Sequence, residues 1–220
     1  MQVRVIDVIK RSSDVKSIRV EKNENLNFIP GQFFKFTIKN QSRYLSASSS
    51  PLRNFIEFTK RLTSSEFSKN FDVLEKNDSV ILEGPYGKFS LQHDDKKILF
   101  IAGGIGITPV FSILEHSFIT KDTRNMILLY GNKTGNIPFK KELIEFEKGI
   151  NLKILFFTEE FEPECYHGCI DVNSIRNLVP DFNERTTFIS GPPAMVENIK
   201  NQIQDAKLDV KIRTEKLIGY

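Results

Sequence analysis

The feature of this sequence that most constrains its fold is a change in the pattern of apolar residues near residue 95. Before this point, short apolar runs such as Phe33–Ile38 alternate with turn residues. Short strands separated by turns at this spacing are typical of a small antiparallel barrel. After this point, apolar runs alternate with longer helical segments, as in a doubly wound parallel sheet. We therefore predict a β-barrel domain over residues 1–94 and an α/β domain over residues 95–220.

The same pattern predicts individual elements. In the first part we expect strands near residues 3–8, 15–20, 33–38, 55–59 and 80–82, and a short helix near residues 65–74. In the second part we expect strands over residues 98–102, 126–130, 152–157, 187–190 and 210–214. Between these strands we expect helices from residue 109, over 138–148, near 172–178 and over 193–206. The continuous apolar runs of the second part suit strands that are buried on both faces.

The charge of the chain argues against several classes of protein. The formal net charge is +3, with 15 Lys and Arg against 10 Asp and Glu in residues 1–90. This excess is too small for a nucleic-acid binder, but it suits an anionic ligand or an acidic partner on the first part. Two cysteines are too few for a disulfide framework or a four-cysteine cluster.

The longest uncharged stretch, residues 98–114, is at the short limit for a membrane span. Glycines and a proline lie in its middle, so a strand, a tight loop and a helix start explain it better. The first 14 residues contain no apolar core of signal-peptide length. We therefore expect a cytoplasmic protein without a membrane span.

A glycine-rich loop follows the first strand of the second part. Gly103, Gly104 and Gly106 would let the backbone approach a phosphate, with Thr108 as helix cap and Pro109 at the first helical position. The free amides of a helix start attract anions. Pro109 stands where a dinucleotide-binding motif has its third glycine, so a plain strand–helix turn remains an alternative.

Two further motifs could bind an anionic cofactor. Arg43 precedes the serine-rich residues 46–50, a combination that fits a diphosphate or the edge of a flavin. A polar strand with a turn at Pro51 is the alternative. Gly191 and Pro192 follow a predicted parallel strand at Ser190, where open α/β sheets bind ligands. Here the alternative is a helix start with two prolines.

Taken in order, these motifs resemble those of the ferredoxin–NADP reductase superfamily. Residues 43–46 match its R-x-Y-S pattern, with a leucine for the tyrosine. Residues 84–89 match G-P-x-G-x-F, and residues 103–109 match G-G-x-G-x-T-P. Residues 190–193 match C-G-P-P, with a serine for the cysteine, and residues 215–217 match the terminal E-x-F, with a leucine for the phenylalanine. The resemblance covers essentially the whole chain. It implies a flavin-binding antiparallel barrel followed by a nicotinamide-binding α/β domain.

The resemblance also assigns roles to residues. It implies catalytic roles for Ser46 and Glu215 near the flavin N5 and for Ser190 near the nicotinamide. The implied cofactor-binding residues are Arg43, Tyr44, Leu45, Ser46, Ser48, Ser49, Ser68, Gly103, Gly104, Gly106, Thr108, Pro109, Glu159, Gly191, Pro192 and Tyr220. Leu45 stands where the family has an aromatic ring on the flavin, and Tyr44 points to the other face of the strand. The terminal Tyr220 would cover the flavin, or else be a disordered end.

The implied function is transfer of electrons from NAD(P)H through FAD to a separate acceptor. The sequence lacks the cysteine spacing of an attached plant-type iron–sulfur domain, so we expect a ferredoxin, a flavodoxin or an oxygenase component as acceptor. A flavin reductase and a nucleotide-binding subunit of a larger complex are the alternatives. Glu159 after the third parallel strand favours NADH over NADPH. Cys165, His167 and Cys169 are too closely spaced for a metal site, and we expect none.

Overall fold

The computed structural model describes residues 1–24 and 26–217. These residues divide into two compact units. The first unit contains Met1–Ser90 and Thr108–Thr120. The second contains Leu91–Ile107 and the described residues from Lys121 onwards. The boundary between residues 94 and 95 that the sequence indicates stays a prediction.

The first unit is built on one six-stranded antiparallel sheet. Its strands are β1 (Gln2–Lys10), β2 (Val15–Glu21), β3 (Phe33–Ile38), β4 (Gln41–Ser46), β5 (Phe55–Arg61) and β6 (Ser79–Tyr86), with helix α1 (Glu66–Asp72) between the last two. The strand order is β4-β3-β6-β1-β2-β5. A β-bridge between Ala47, directly after β4, and Phe58 in β5 joins the two edges. This closure confirms the predicted barrel.

Aromatic side chains fill the barrel because alternate residues of its strands point inward. Phe34 and Phe36 of β3 both pack against Phe58 with their rings edge to face. Helix α1 adds Phe67 and Phe71 to the same core, and both rings contact Phe36. The barrel therefore has a continuous apolar interior to which α1 contributes.

The second unit is built on one six-stranded parallel sheet, and helix α2 begins in it. In chain order the elements are β7 (Lys97–Gly103), α2 (Ile107–Thr120), β8 (Asn125–Asn132), α3 (Lys140–Gly149), β9 (Leu152–Thr158), β10 (Tyr166–His167), α4 (Val172–Leu178), β11 (Thr186–Gly191), α5 (Pro193–Asp205) and β12 (Ile212–Lys216). The strand order is β10-β9-β8-β7-β11-β12. The predicted α/β architecture is confirmed, with the two-residue β10 as a strand that the sequence did not indicate.

The start of helix α2 differs from the prediction. Gly104–Gly106 form a 3-10 turn that leads directly into the helix, which begins at Ile107. Thr108 and Pro109 are therefore its second and third residues, and neither the predicted cap nor the predicted first position is correct. Proline is tolerated in a first turn because amides there lack acceptors within the helix.

A buried carboxylate ties the start of the second unit to its last strand. Asp95 accepts hydrogen bonds from the Arg213 guanidinium on β12 at 2.5 and 3.3 Å, and from Thr186 Oγ1 on β11 at 2.9 Å. The backbone N–H of Gln92 donates a further bond at 2.7 Å. We call these four residues the Asp95 cluster. It fixes β12, which carries Glu215, against β11.

No helix in the described ranges is both long and apolar enough to cross a membrane.

Candidate functional site

Strand β4 places Arg43 at an edge of the sheet in the first unit. Arg43 is half-buried, donates to the Ser42 carbonyl oxygen at 2.8 Å, and lies 5.7 Å from the ring centre of Phe67. Among the residues that the structure describes, it forms no ion pair. A half-buried guanidinium without an acidic partner is suited to bind an external anion such as a diphosphate.

A second cation, Lys60, lies close enough to Arg43 to be affected by the positive charge of Arg43. Lys60 was not predicted from the sequence as a site residue. The Lys60 side chain is buried, and this burial, together with the positive charge of Arg43, lowers its pKa to about 8. The signal was present, because Ile56, Phe58 and Lys60 alternate along β5 and so share the inward face. Two neighbouring cations favour an anionic ligand with more than one charge.

The serine hydroxyls implied as flavin ligands fall into two groups. Ser46 Oγ is buried and has no hydrogen-bond partner among the described residues. By contrast, Ser48 Oγ is bonded to Thr59 Oγ1 at 2.7 Å, and Ser49 Oγ accepts the N–H of Glu57 at 3.0 Å. Ser68 Oγ likewise accepts the N–H of Thr63 at 2.7 Å. Of these four serines, Ser46 alone leaves a buried hydroxyl without a partner in the described structure, which fits a ligand contact.

The two residues between Arg43 and Ser46 lie on opposite faces of β4. Leu45 is 2% exposed and belongs to the barrel core. Tyr44 is 59% exposed, with its ring 5.6 Å from that of Phe33 and 6.3 Å from that of Tyr86. The accessible aromatic ring of this motif is therefore Tyr44, and Leu45 offers an aliphatic contact at most.

In the second unit, the glycine loop lies against the end of β11. A Cβ atom on Gly106 would come within 2.4 Å of the Ser190 carbonyl oxygen, so only glycine fits there. Gly104 has a positive φ of 54°, and a Cβ on it would meet no atom within 4 Å. The Tyr130 hydroxyl donates to the Gly104 carbonyl oxygen at 3.1 Å and helps to fix the loop. The backbone of Gly104 is thus open to the close approach of a ligand.

Two of the predicted catalytic residues lie side by side in this unit. Ser190 and Glu215 are paired across the parallel strands β11 and β12. Ser190 Oγ is buried and, within the described part of the chain, has no partner. Glu215 is half-buried, and this burial raises its pKa to about 7. Gly191 follows, with its carbonyl oxygen accepting the N–H of Leu217 at 3.1 Å, and Pro192 precedes α5.

We expect Glu215→Gln to stabilise the protein at pH 8 but not at pH 5. The folded state raises the pKa of Glu215 from its ordinary 4.5 to about 7, so it holds the proton more tightly than the unfolded state. The resulting stability is complete below about pH 4.5 and is lost as pH rises through 7. Because glutamine stays neutral, the variant should gain about 1–2 kcal/mol at pH 8, or about 3–6 °C in Tm.

Scanning calorimetry at the two pH values measures this difference. Glu145→Gln, at an exposed position on α3, is the matched control and should change Tm at neither pH. An equal Tm change for Glu215→Gln at pH 5 and pH 8 would contradict the raised pKa.

The end of β9 carries the residues predicted to select the nucleotide. Glu159 and Glu160 are exposed, and their N–H groups donate to the carbonyl oxygens of Asn132 and Lys133 at 3.4 and 3.1 Å. Thr158 Oγ1, at the last position of β9, is buried and lacks a partner among the described residues. Thr158 was not predicted from the sequence, although its place at a strand's carboxyl end was a signal.

Three further positions that the sequence singles out are Tyr220 and the two cysteines. Tyr220 lies outside the described residues. Cys165 and Cys169 are free thiols. Over residues 1–24 and 26–217, no group of three or more His, Cys, Asp or Glu side chains is arranged to hold a metal ion.

Two protein-family models match the chain in tandem. An oxidoreductase FAD-binding domain matches residues 2–91, and an oxidoreductase NAD-binding domain matches residues 100–201. Curated relatives include the reductase component of propane 2-monooxygenase from Rhodococcus jostii (strain RHA1), which is 25% identical over 90% of this chain. Another is the glycine betaine monooxygenase reductase subunit of Pseudomonas aeruginosa (strain UCBPP-PA14), 26% identical over 99% of it. The chain spans 58% and 64% of the lengths of these relatives.

Solved structures show the same fold. A ferredoxin NADP⁺ reductase from Neisseria gonorrhoeae, with bound FAD and NADP, has a TM-score of 0.86 at 18% identity and covers 98% of each chain. The Amycolatopsis cytochrome P450 reductase GcoB has a TM-score of 0.87 at 21% identity, covering 99% of this chain and 70% of its own.

Proposed function

Because the chain belongs to the ferredoxin–NADP reductase superfamily, we propose that it is an NAD(P)H-dependent flavoprotein reductase that delivers electrons to a separate acceptor. The observation that carries this proposal is the tandem of an FAD-binding domain and an NAD-binding domain in one chain. FAD, when bound, accepts hydride from a reduced nicotinamide and passes electrons onward. The chain's own residues bind and orient the two cofactors.

The first unit contains groups that fit FAD. Arg43 and Lys60 supply two positive charges for the diphosphate, and Ser46 Oγ is a buried hydroxyl that lacks a partner among the described residues. Tyr44 presents an accessible ring, while Leu45 packs in the core. In this proposal Ser46 donates to the flavin near its reacting edge. Ser48, Ser49 and Ser68 act indirectly, by fixing the backbone through their own hydrogen bonds.

The second unit contains groups that fit the nicotinamide nucleotide. Gly104, where a Cβ would meet no atom within 4 Å, allows the close approach of a phosphate, while Gly103 and Gly106 pack closely against Met195 and Ser190. Thr108 and Pro109 support that loop from the first turn of α2. Ser190 and Glu215 are proposed to contact the nicotinamide, and the raised pKa of Glu215 lets its carboxyl hold or release a proton near neutral pH. Gly191 and Pro192 line the same strand end.

The acceptor in this proposal is a ferredoxin, a flavodoxin or an oxygenase component. Support comes from the relatives that are named as reductase components of monooxygenases, and from the excess of basic residues in residues 1–90. If the acceptor is an acidic protein, its reduction should slow steeply as salt rises, because salt screens the attraction. A cytoplasmic location is part of the same proposal, which the two free thiols support and cell fractionation tests.

An absorbance spectrum of the purified protein, before and after anaerobic addition of NADH, tests the function. We expect a bound-flavin spectrum that bleaches when NADH is added and recovers with an electron-accepting dye. A protein that shows no flavin band and reduces only added free flavin would favour a flavin reductase. That alternative draws support from Leu45, which leaves the flavin without the usual ring at this position. A protein that binds nucleotide without reducing any dye would favour a subunit of a larger complex.

We expect NADH to be preferred to NADPH. Glu159 lies exposed at the end of β9, where its carboxylate would accept hydrogen bonds from ribose hydroxyls and repel a 2′-phosphate. A difference of about 1–2 kcal/mol gives about a 5- to 30-fold preference in kcat/KM. Glu159→Arg should lower or reverse the ratio of kcat/KM for NADH to kcat/KM for NADPH. A parent protein that uses NADPH better than NADH would contradict this expectation, and Lys133, which follows β8, would then be a candidate to bind the phosphate. If Glu159→Arg leaves this ratio unchanged, Glu159 is a solvated loop residue without a role in nucleotide selection.

A further inference from the structure

A buried carboxylate, Glu57, lies on the outer face of β5. Its neighbours Ile56 and Phe58 point the other way, into the apolar core of the barrel. The Glu57 side chain is only 3% exposed, and two arginines donate hydrogen bonds to it. Arg11 Nη2 donates to Oε1 at 2.7 Å, and Arg19 Nε donates to Oε2 at 2.8 Å. These charges and hydrogen bonds are what allow a carboxylate to be buried there.

Hydroxyl groups extend this arrangement toward the serines that follow β4. Arg11 Nε donates to Ser17 Oγ at 2.9 Å, and Ser17 Oγ is hydrogen-bonded to Thr59 Oγ1 at 2.7 Å. Thr59 Oγ1 is also bonded to Ser48 Oγ at 2.7 Å and to Glu57 Oε1 at 3.4 Å. All of these residues belong to the first unit. We use the name Glu57 layer for Arg11, Ser17, Arg19, Glu57 and Thr59.

The backbone of Glu57 holds the segment that follows β4. Its carbonyl oxygen accepts the N–H of Ser48 at 2.7 Å, and its own N–H donates to Ser49 Oγ at 3.0 Å. The N–H of Ala47 also has a backbone acceptor. The hydroxyls of Ser48 and Ser49 are therefore both engaged by β5. Ser46 Oγ, by contrast, is buried without a partner among the described residues, so it is the hydroxyl of this segment that suits a ligand.

A buried polar layer of this kind restricts geometry more than it adds stability. An apolar layer of similar volume is often at least as stable as a buried ion pair, because burying charges costs free energy. A layer whose members are joined by directional hydrogen bonds is rigid, since a displaced member loses its partners. The Glu57 layer therefore holds β5, and with it the segment that carries Ser46, in one position.

We propose that Glu57 is a positioning residue that holds Ser46 Oγ where it binds the flavin. This inference rests on the proposed function, in which Ser46 donates to the flavin near its reacting edge. Glu57 acts without touching the cofactor. Its carboxylate fixes β5 against β2, and its backbone fixes Ser48 and Ser49. These two serines then set the position of Ser46.

A double-mutant cycle with Ser46→Ala tests this role. Glu57→Gln removes the charge but keeps the shape of the side chain, and Thr59→Val removes the hydroxyl that joins Ser17 to Ser48. Fluorescence titration of flavin-free protein with FAD gives the dissociation constant of each variant, at a temperature at which circular dichroism shows it to be folded. We expect each substitution to raise this constant by about 5- to 20-fold. In a Ser46→Ala background, the same substitutions should change it by less than about twofold.

The dependence on Ser46 separates positioning from a general effect on the fold. A layer that only stabilises the barrel would change the dissociation constant by the same factor with and without the Ser46 hydroxyl, and that result would overturn the proposal. Glu21→Gln is the matched control, because Glu21 is a carboxylate that pairs with Arg4 on the surface of the same barrel. It should bind FAD as the parent protein does.

The remaining outcomes distinguish this proposal from the reductase function. If Glu57→Gln does not fold, Thr59→Val decides, since it leaves the carboxylate and both arginines in place. If the folded variants bind FAD as tightly as the parent protein, the positioning role is refuted and the reductase function stands. A parent protein that binds no FAD refutes both.

Discussion

Arg43→Ala is expected to weaken FAD binding by about 10- to 100-fold. A charge-assisted contact with a diphosphate contributes about 1.5–3 kcal/mol, and Arg43 has no competing ion pair among the described residues. The folded protein without cofactor should not lose stability, because Arg43 lies near the buried Lys60 and contributes to lowering its pKa. Removing Arg43 relieves that repulsion. The variant should therefore bind FAD poorly while keeping its Tm.

Titration of flavin-free protein with FAD, followed by fluorescence quenching, measures the affinity. Arg4→Ala is the matched control, since Arg4 lies on the surface of the same barrel in an ion pair with Glu21. It should bind FAD as the parent does. Arg43→Lys should recover part of the affinity, because lysine keeps the charge but not the bidentate geometry. If Arg43→Ala binds FAD as tightly as the parent protein, Arg43 does not belong to the flavin site.

Asp95→Ala is expected to lower the free energy of unfolding by about 3 kcal/mol or more. Burial alone would raise the pKa of Asp95, but hydrogen bonds from Arg213, the Gln92 N–H and Thr186 lower it below its ordinary value. The carboxylate is therefore charged and fully paired. Its removal leaves Arg213, mostly buried over the ring of Phe188, without this partner. Breaking such a pair costs about 3–5 kcal/mol.

The neighbouring residue provides an internal control. Asp94 is 72% exposed on its side chain and pairs with Lys211 on the surface, whereas the Asp95 side chain is fully buried. Asp94→Ala should cost less than about 1 kcal/mol. Thermal unfolding should show a Tm about 6–12 °C lower for Asp95→Ala and nearly unchanged for Asp94→Ala. Equal effects of the two substitutions would show that the Asp95 cluster does not fix β12.

The fold was predictable because its signals are local. The inward alternation of Phe34 and Phe36 follows from a few consecutive residues, and so does the uncharged run from Ile98 to Gly103 in β7. The start of α2 was misplaced because the 3-10 turn at Gly104–Gly106 competes with the capping pattern that Thr108 and Pro109 suggest.

The site was only partly predictable because the hydrogen-bond or ion-pair partner of a side chain can lie far away in the sequence. Ser46, Ser48 and Ser49 look alike in sequence, yet only Ser46 lacks a partner in the described structure. The partners of Ser48 and Ser49 are the Thr59 hydroxyl and the Glu57 N–H, and both belong to β5. The contact between Asp95 and Arg213 spans 118 positions, and no pattern in the sequence indicates it. The alternation along β5 indicates that Lys60 faces inward, but it does not indicate that Lys60 lies near Arg43.

The way in which the second unit is interrupted along the chain has a consequence for synthesis. Thr108–Thr120 groups with the first unit, so every residue of that unit within the described ranges has been translated once residue 120 is added. The parallel sheet, by contrast, cannot be completed until β12 has been translated, and this strand ends at Lys216. At a translation rate of about 5–20 residues per second, this interval lasts about 5–20 s. Nascent chains therefore pass through a stage in which the barrel can close while Asp95 still lacks Arg213. Chaperone dependence in vivo should concentrate in that interval, on the exposed strands β7, β8 and β9.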